Sequence, residues 1–243
     1  MSSHHLVSSI ATAAAVGITA FMSTASGPGP AGQPGAGDHT AATARTACAG
    51  VSPCRIVARV DVDGDHRADQ VGWHQLGDSA AQIRVRTADG ALLTHRVDVR
   101  LWFGGGAWGG ATRIDGEAGA ELLVGSNQGA HTPMYTMLTY RSGRLVTERS
   151  PAPYGALWQV DAAYGDYMGW QRQLRPGQVA MTQRVAVRVD GTDRFTGDDV
   201  TYVWSANRWV RSTQAPTTYA SERLAARVGG FHVAGLTAFP GLP

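Results

Sequence analysis

The sequence predicts an all-β fold. Apolar, β-prone segments of about five residues recur along the chain, and turn signals separate them every 8–12 residues or so. The chain contains 31 glycines, which suits such frequent turns. An acidic block also recurs, since Asp63 aligns without gaps on Asp115 and Asp69 aligns on Glu121, an offset of 52 residues. The segments therefore belong to a repeated unit.

The N-terminal region predicts export. Residues 1–26 contain no Asp, Glu, Lys or Arg, and Leu6 to Met22 is an apolar run that ends in small residues. This pattern is typical of a signal peptide, so we expect a secreted, extracellular protein with no membrane span after cleavage. A transmembrane anchor is the competing interpretation, but the apolar run is short and is interrupted by Ser, Thr and Gly. Residues 27–47 are rich in Gly, Pro, Ala and Thr and predict a flexible linker.

The two cysteines stand at the start of the predicted β domain. Cys48 and Cys54 are six residues apart, and in an exported chain we expect them to form a disulfide. So small a loop contributes about 2 kcal/mol in the chain-entropy model, enough to pin the first strand. The alternative, that they bind a metal, lacks a second cysteine pair.

The charge distribution argues against nucleic-acid binding. The formal net charge is +2, from 21 basic and 19 acidic residues. The basic residues are dispersed and form no stripe, which a nucleic-acid partner would require.

The first acidic block has the spacing of a cation loop. Carboxylates occupy loop positions 1, 3, 5 and 9, namely Asp61, Asp63, Asp65 and Asp69. Calcium accepts about 6–8 oxygens in flexible geometry, and the main-chain carbonyl near Arg67 adds a further ligand. An EF-hand would require Glu at position 12, where this chain has Gly72. We therefore predict one calcium site, and a solvated Asp-rich turn without metal is the alternative.

This loop and the strand-like segment after it, Gln70 to His74, resemble the FG-GAP or VCBS-type repeats of integrin-like β-propellers. All four acidic positions match, whereas His66 stands where the family usually has Gly. Because His tolerates a positive φ better than most residues, the resemblance survives this difference. The resemblance implies calcium-stabilised, blade-like β units in an extracellular binding or adhesion module that is not an enzyme.

The β-repeat domain is predicted to span residues 48–213. Its units cover about 55–101, 102–150 and 151–213, and a C-terminal strap, with a short helix from Glu222 to Val228 after Ser221, covers 214–243. Three units are too few for the usual closed propeller ring. We therefore expect an incomplete or small propeller-like stack of β-hairpin repeats, with a β-sandwich as the alternative.

The second acidic loop differs from the first at one position. Arg113 replaces the first carboxylate, and we expect its guanidinium to face Asp115, Glu117 and Glu121 in place of a cation. This substitution predicts that the second loop contains no metal.

The sequence does not identify the partner, which we expect to be an extracellular protein or glycan. Trp102 and Trp108, beside flexible glycines, are candidates for a carbohydrate-binding surface, although packing between blades is the simpler explanation. His131 is the candidate base of a secreted hydrolase, acting with a nearby acid or Ser126, although a hydrogen bond to the backbone is the simpler explanation for a lone loop histidine. No catalytic motif supports the hydrolase.

Overall fold

The computed structural model describes residues 46–102, 106–153, 155–163 and 165–236. The fold is all-β, as predicted, with three sheets whose strands are antiparallel except for one short parallel strand in the third, and none is closed into a barrel. The predicted signal peptide and nearly all of the predicted linker lie outside the described residues. Within those residues, no helix is both long and apolar enough to cross a membrane.

The first sheet is a four-stranded meander in the order β1-β2-β3-β4. Its strands are β1 (Cys54–Val60), β2 (Asp69–Leu76), β3 (Ala80–Arg86) and β4 (Leu92–Asp98). The hairpin turn at Ala88, Asp89 and Gly90 joins the last two strands, and Gly90 has the positive φ that this turn needs.

The second sheet repeats this strand order. Its strands are β5 (Trp108–Thr112), β6 (Glu121–Gln128), β7 (Pro133–Arg141) and β8 (Arg144–Glu148), and β9 (Trp158–Gln159) also pairs with β7. Strands β2 and β6 begin at Asp69 and Glu121, so the 52-residue offset relates the two sheets strand by strand.

The third sheet has longer strands in the order β10-β11-β12-β13-β14. These are β10 (Asp161–Ala163), β11 (Asp166–Arg175), β12 (Gln178–Arg188), β13 (Phe195–Ser205) and β14 (Arg208–Tyr219). The helix α1 (Glu222–Ala225), a 3₁₀ turn (Ala226–Val228) and β15 (Gly230–His232), which pairs in parallel with β11, follow.

Two predicted boundaries require correction. The strap was expected to begin at residue 214, but β14 continues to Tyr219 because it pairs with β13 along its whole length. The linker was expected to include Ala47, yet this residue is fully buried and its carbonyl accepts a hydrogen bond from Arg84. The folded region therefore includes Thr46 and Ala47.

The second sheet lies between the other two. On β6, Leu122 packs into a hydrophobic cluster shared with the first sheet, whereas Leu123 packs into a cluster shared with the third. Successive strand residues point to opposite faces, so both faces of this sheet are covered. The three sheets therefore stack in layers, and a third cluster, around Phe195, joins the last sheet to α1 and the 3₁₀ turn.

The disulfide closes the start of the first sheet as predicted. Cys48 bonds to Cys54, the first residue of β1. The buried Arg84 side chain donates to the carbonyls of Ala47 and Ala49 at 2.7 and 3.2 Å, and Gly72 leaves room for both sulfur atoms. The loop is therefore attached to the middle of the sheet as well as to β1.

Candidate functional site

Three of the predicted metal ligands converge. Asp61, Asp63 and Asp65 each offer a carboxylate oxygen, and these oxygens lie within 4.8 Å of one another. Such a group of acids could hold a metal ion. Burial raises the pKa of Asp63, and the charges of Asp69, Asp65 and Asp61 raise it further. The loop therefore concentrates negative charge that a cation would relieve.

Backbone N–H groups hold these carboxylates in place. Asp61 accepts from the N–H groups of Gly64 and His66 at 2.7 and 3.1 Å. Asp63 accepts from Asp65 at 3.2 Å, and Asp65 accepts from Arg67 at 2.7 Å. His66 has φ +64°, so it adopts the left-handed conformation expected at its position.

Asp69 and Arg67 have other contacts. The buried Asp69 carboxylate accepts from Val62 at 2.7 Å, from Ala88 at 2.8 Å and from Asp63 at 3.4 Å. It therefore ties the loop to the β3–β4 turn. The Arg67 guanidinium donates to the Ala88 carbonyl at 3.0 Å and strengthens the same connection.

The second acidic loop reproduces these bonds with its own residues. Glu121 accepts from the N–H of Ile114 at 2.6 Å, as Asp69 does from Val62, and Asp115 accepts from Glu117 at 2.7 Å, as Asp63 does from Asp65. Asp161, at the start of the third sheet, makes the same bond with the N–H of Ala163 at 2.9 Å. The local loop geometry therefore recurs, although the number of acids falls.

The two acidic loops pack directly against each other. The N–H of Ala120 donates to the carbonyl of Asp61 at 2.8 Å. Gly64 lies so close to Ala118 that an added Cβ would be 2.4 Å from the Cβ of Ala118, and Gly119 lies equally close to the Val62 carbonyl. The back of the first acidic loop is therefore fixed by the second loop.

The predicted role of Arg113 is wrong. Its guanidinium lies 3.5 Å from Asp61 of the first loop, and Arg141 from the end of β7 forms the ion pair with Asp115. The stacking of the sheets causes this exchange, because the two loops face each other and the β7–β8 hairpin reaches over the second. Arg113 therefore adds positive charge beside the first acidic loop.

The second loop belongs to a buried cluster of acids. Asp115, Glu121 and Glu148 have carboxylate oxygens within 4.8 Å of one another, and all three residues are buried. The guanidinium of Arg141 lies against Asp115, and Arg172 of β11 is a second positive charge near Asp115 and Glu121. Two cations therefore face three carboxyl groups.

Burial leaves the cluster with at least one carboxyl group that favours its uncharged form. It raises the pKa of Glu121 to about 7, with a further increase from Asp115, and raises that of Glu148 well above its ordinary value. Among the residues that the structure describes, no N–H or O–H donor reaches Oε2 of Glu148, but Asp115 is close enough to share a proton with it. One shared proton would balance the charge of the cluster.

His131 pairs with an acid, but not with a serine. Its Nδ1 lies 3.0 Å from Asp161, whose other oxygen accepts from the Thr132 hydroxyl at 2.7 Å. Ser126 instead contacts the Thr136 hydroxyl at 2.6 Å. Within the residues that the structure describes, no hydrogen bond joins a serine to the His131 ring. The pair therefore attaches the β6–β7 loop to β10 without forming a catalytic triad.

Trp102 and Trp108 both pack against the hydrophobic clusters that flank the second sheet, Trp102 against both clusters and Trp108 against the one shared with the first sheet. Trp102 is half-buried, lies against Gly125 and contacts the Tyr135 ring edge-on at 5.1 Å. Trp108 lies in β5 and packs on the cluster shared by the first two sheets. The packing explanation therefore fits both residues. Of the three glycines between them, Gly104 and Gly105 lie outside the described residues, which resume at Gly106.

Sequence reasoning missed four residues of the buried cluster, Arg141, Glu148, Arg172 and Trp209. They come from four strands, and nothing in their spacing indicates that they meet. No protein-family model, curated protein or solved structure matches this chain.

Proposed function

We propose that this chain is an exported, calcium-stabilised binding module of the FG-GAP/VCBS type. The observation that carries the proposal is the convergence of Asp61, Asp63 and Asp65 in a loop whose back is fixed by its neighbour. Calcium suits this loop better than magnesium, because it accepts a flexible set of oxygens and gives up its waters more readily. The ion would neutralise the repelling carboxylates and hold together the first two sheets.

The strand order of the first two sheets supports the family proposal. Each contains a four-stranded meander, and each places its acidic loop between the first and second strand of that meander. Blade-like units of this kind commonly present a binding surface at their loops. No catalytic constellation was found around the loop among the described residues, and we propose a binding role for this reason.

Thermal unfolding in chelator and in calcium tests the ion. At 1 mM calcium we expect stabilisation of about 0.4–1.5 kcal/mol, for a dissociation constant of about 0.1–1 mM. Asp63→Asn should abolish the shift. In chelator this variant should melt at or above the wild-type temperature, because it removes one of several repelling charges. Asp190→Asn, at an exposed position outside the loop, is the matched control. Identical wild-type melts in chelator and in calcium would exclude the ion.

Export is tested separately. The Cys48–Cys54 disulfide supports an oxidising destination. We expect the chain recovered from the medium of its producing cell to begin between about residues 20 and 28 when its N-terminus is sequenced. A chain retained in the cytoplasm with residues 1–26 intact would contradict export.

A further inference from the structure

A groove of about 480 Å³ separates the β7–β8 hairpin of the second sheet from the β13–β14 hairpin of the third. We call it the Trp204/Trp209 groove after its two aromatic side chains. The residues that matter for its chemistry are Arg141, Glu148, Arg149, Trp204, Arg208 and Trp209. It lies apart from the aspartate loop and involves none of the residues proposed to bind calcium.

Both tryptophans are held in fixed orientations. The indole N–H of Trp204 donates to Glu117 at 2.8 Å, and that of Trp209 donates to Glu148 at 2.7 Å. Their rings contact each other edge-on, with centroids 5.1 Å apart. Since their polar edges are already bonded, and since Arg141 lies over the Trp204 ring and Trp158 packs against Trp209, a ligand would use the remaining exposed ring surface. Fixed aromatic faces bind with little loss of conformational entropy.

These tryptophans differ from those of the core. Trp158 and Trp170 are fully buried, and each donates its indole N–H to a main-chain carbonyl. Trp204 and Trp209 are only half-buried, on a hairpin at the end of the third sheet. Core packing accounts for the first pair, whereas the second pair leaves apolar surface at the groove.

The groove attracts negative charge. Arg149 and Arg208 are exposed and form no ion pair with any residue that the structure describes. Arg141 stacks over Trp204, with its Cζ 5.7 Å from the ring centroid. Glu148 is the one carboxyl group in the lining, and burial raises its pKa well above its ordinary value, which favours the uncharged form. Arg141 is paired with Asp115, and Glu117 is bonded to the Trp204 indole, so the unpaired charges that the lining presents are those of Arg149 and Arg208.

We propose that the Trp204/Trp209 groove binds an anionic oligosaccharide, with sugar rings stacked on the two indoles and acidic groups paired with Arg149 and Arg208. Sugar rings offer C–H faces that pack on aromatic surfaces, and carboxylates match the fork of an arginine. Single-stranded nucleic acid uses similar contacts, but it favours a continuous basic channel, and the basic residues of this chain are dispersed. The proposal names a ligand class for the proposed binding module, yet it does not depend on calcium.

Calorimetric titration of the whole chain with a galacturonic acid hexamer tests the site. The comparison ligands are a neutral hexose hexamer and a single-stranded oligothymidylate. Chelator is present throughout, so that calcium neither bridges the uronic acid nor occupies the aspartate loop. A failed calcium site would therefore leave this result unchanged.

Two variants test whether binding takes place in the groove, and a third is the control. Trp204→Ala should weaken binding of the galacturonic acid hexamer roughly 3- to 10-fold, the amount typical of an aromatic contact. Arg208→Gln should weaken it while leaving the fold intact, because this side chain is exposed. Arg194→Gln removes the same charge from an exposed loop elsewhere and should have no effect.

Selective uronic acid binding that falls in Trp204→Ala and Arg208→Gln supports the proposal. Absence of uronic acid binding overturns it, as does equal affinity for the neutral hexamer or a preference for oligothymidylate. Affinity that is unchanged in Arg208→Gln, with Arg194→Gln as reference, places the site elsewhere and also overturns it.

Discussion

Gly119 lies where the two acidic loops meet. Its φ is +96°, and an added Cβ would be 2.2 Å from the Val62 carbonyl oxygen. Both the backbone conformation and the available space therefore demand glycine here. Gly143, in the β7–β8 turn, has φ +81° but has open space around it. Comparing alanine substitutions at Gly119 and Gly143 therefore separates the cost of a left-handed backbone from the cost of steric overlap.

Gly143→Ala should lower the free energy of unfolding by about 1 kcal/mol, the cost of a left-handed alanine. Gly119→Ala should cost about 1–3 kcal/mol more, because the loops must also move apart. Urea unfolding of both variants measures the difference. Equal losses in the free energy of unfolding would show that the two loops can move apart at no cost, so the second loop would not fix the first.

At the scale of single residues, sequence reasoning identified the aspartates but not all of their roles. Asp61, Asp63 and Asp65 meet because their loop spacing is local. Asp69 instead bonds to the N–H of Ala88, 19 residues away, and this contact exists only once β2 and β3 have paired. Local spacing therefore indicates which carboxylates lie close together. The pairing of β2 with β3 decides that Asp69 bonds to the β3–β4 turn instead of joining the other three aspartates.

At the scale of elements, the buried acid cluster joins the second sheet to the third. Glu148 of β8 accepts from the indole of Trp209 on β14, and Arg172 of β11 donates to the Ile114 carbonyl at 3.1 Å. Glu121 at the start of β6 accepts from the Thr139 hydroxyl of β7. These hydrogen bonds are donated to the carboxyl groups and need no proton on them, whereas the charge balance of the cluster depends on protons retained on buried carboxyl groups.

The cluster predicts a pH-dependent stability. Folded Glu121 has a pKa of about 7, raised by burial, against an ordinary value of 4.5. The stability that it contributes is therefore complete below about pH 4.5 and is lost as pH rises to about 7. Its size is at most about 3 kcal/mol. The pKa of Glu148 is raised as well, so that group acts in the same direction.

Urea unfolding at pH 5 and pH 7.5 measures this effect. Wild type should lose more stability than Glu121→Gln across this range, because the variant cannot release a proton there. The glutamine oxygen can still accept the N–H of Ile114, and Thr139 can accept from the amide, so the hydrogen bonds survive. Asp190→Asn should follow wild type. Parallel profiles for wild type and Glu121→Gln would refute the assignment.

At the scale of the whole molecule, both faces of the middle sheet are buried, and this arrangement should make unfolding cooperative. Leu122 and Leu123 are adjacent on β6 and both are fully buried, one against each neighbouring sheet. Removing either outer sheet would therefore expose one face of the middle one. We expect the three sheets to unfold together.

Leu122→Ala and Leu123→Ala should each lower the free energy of unfolding by about 2–5 kcal/mol and move one common transition. Circular dichroism and tryptophan fluorescence should report the same midpoint. Leu174→Ala changes a side chain that is 72% exposed and should remain within about 0.5 kcal/mol of wild type. Two transitions, only one of which responds to Leu123→Ala, would contradict a single unit.

The sequence by itself determined the features that depend on neighbours along the chain. Turn residues and short β-prone runs predicted an all-β fold, the 52-residue offset predicted the matched strand order, and six residues of spacing predicted the disulfide. The helix from Glu222 to Val228 was also predicted, although it forms as an α-helical turn followed by a 3₁₀ turn. Each of these can be read from residues close together in the chain or from a repeated segment, without knowing how the sheets stack.

Only the tertiary structure decided which side chains meet between sheets. Arg113 and Arg141 both carry a guanidinium, and the orientation of the loops alone determines that the first contacts Asp61 and the second Asp115. Trp204 and Trp209 form a groove because their hairpin faces β8, which is far away in sequence. Packing between layers selects such partners from many chemically equivalent residues, and linear spacing does not distinguish among them.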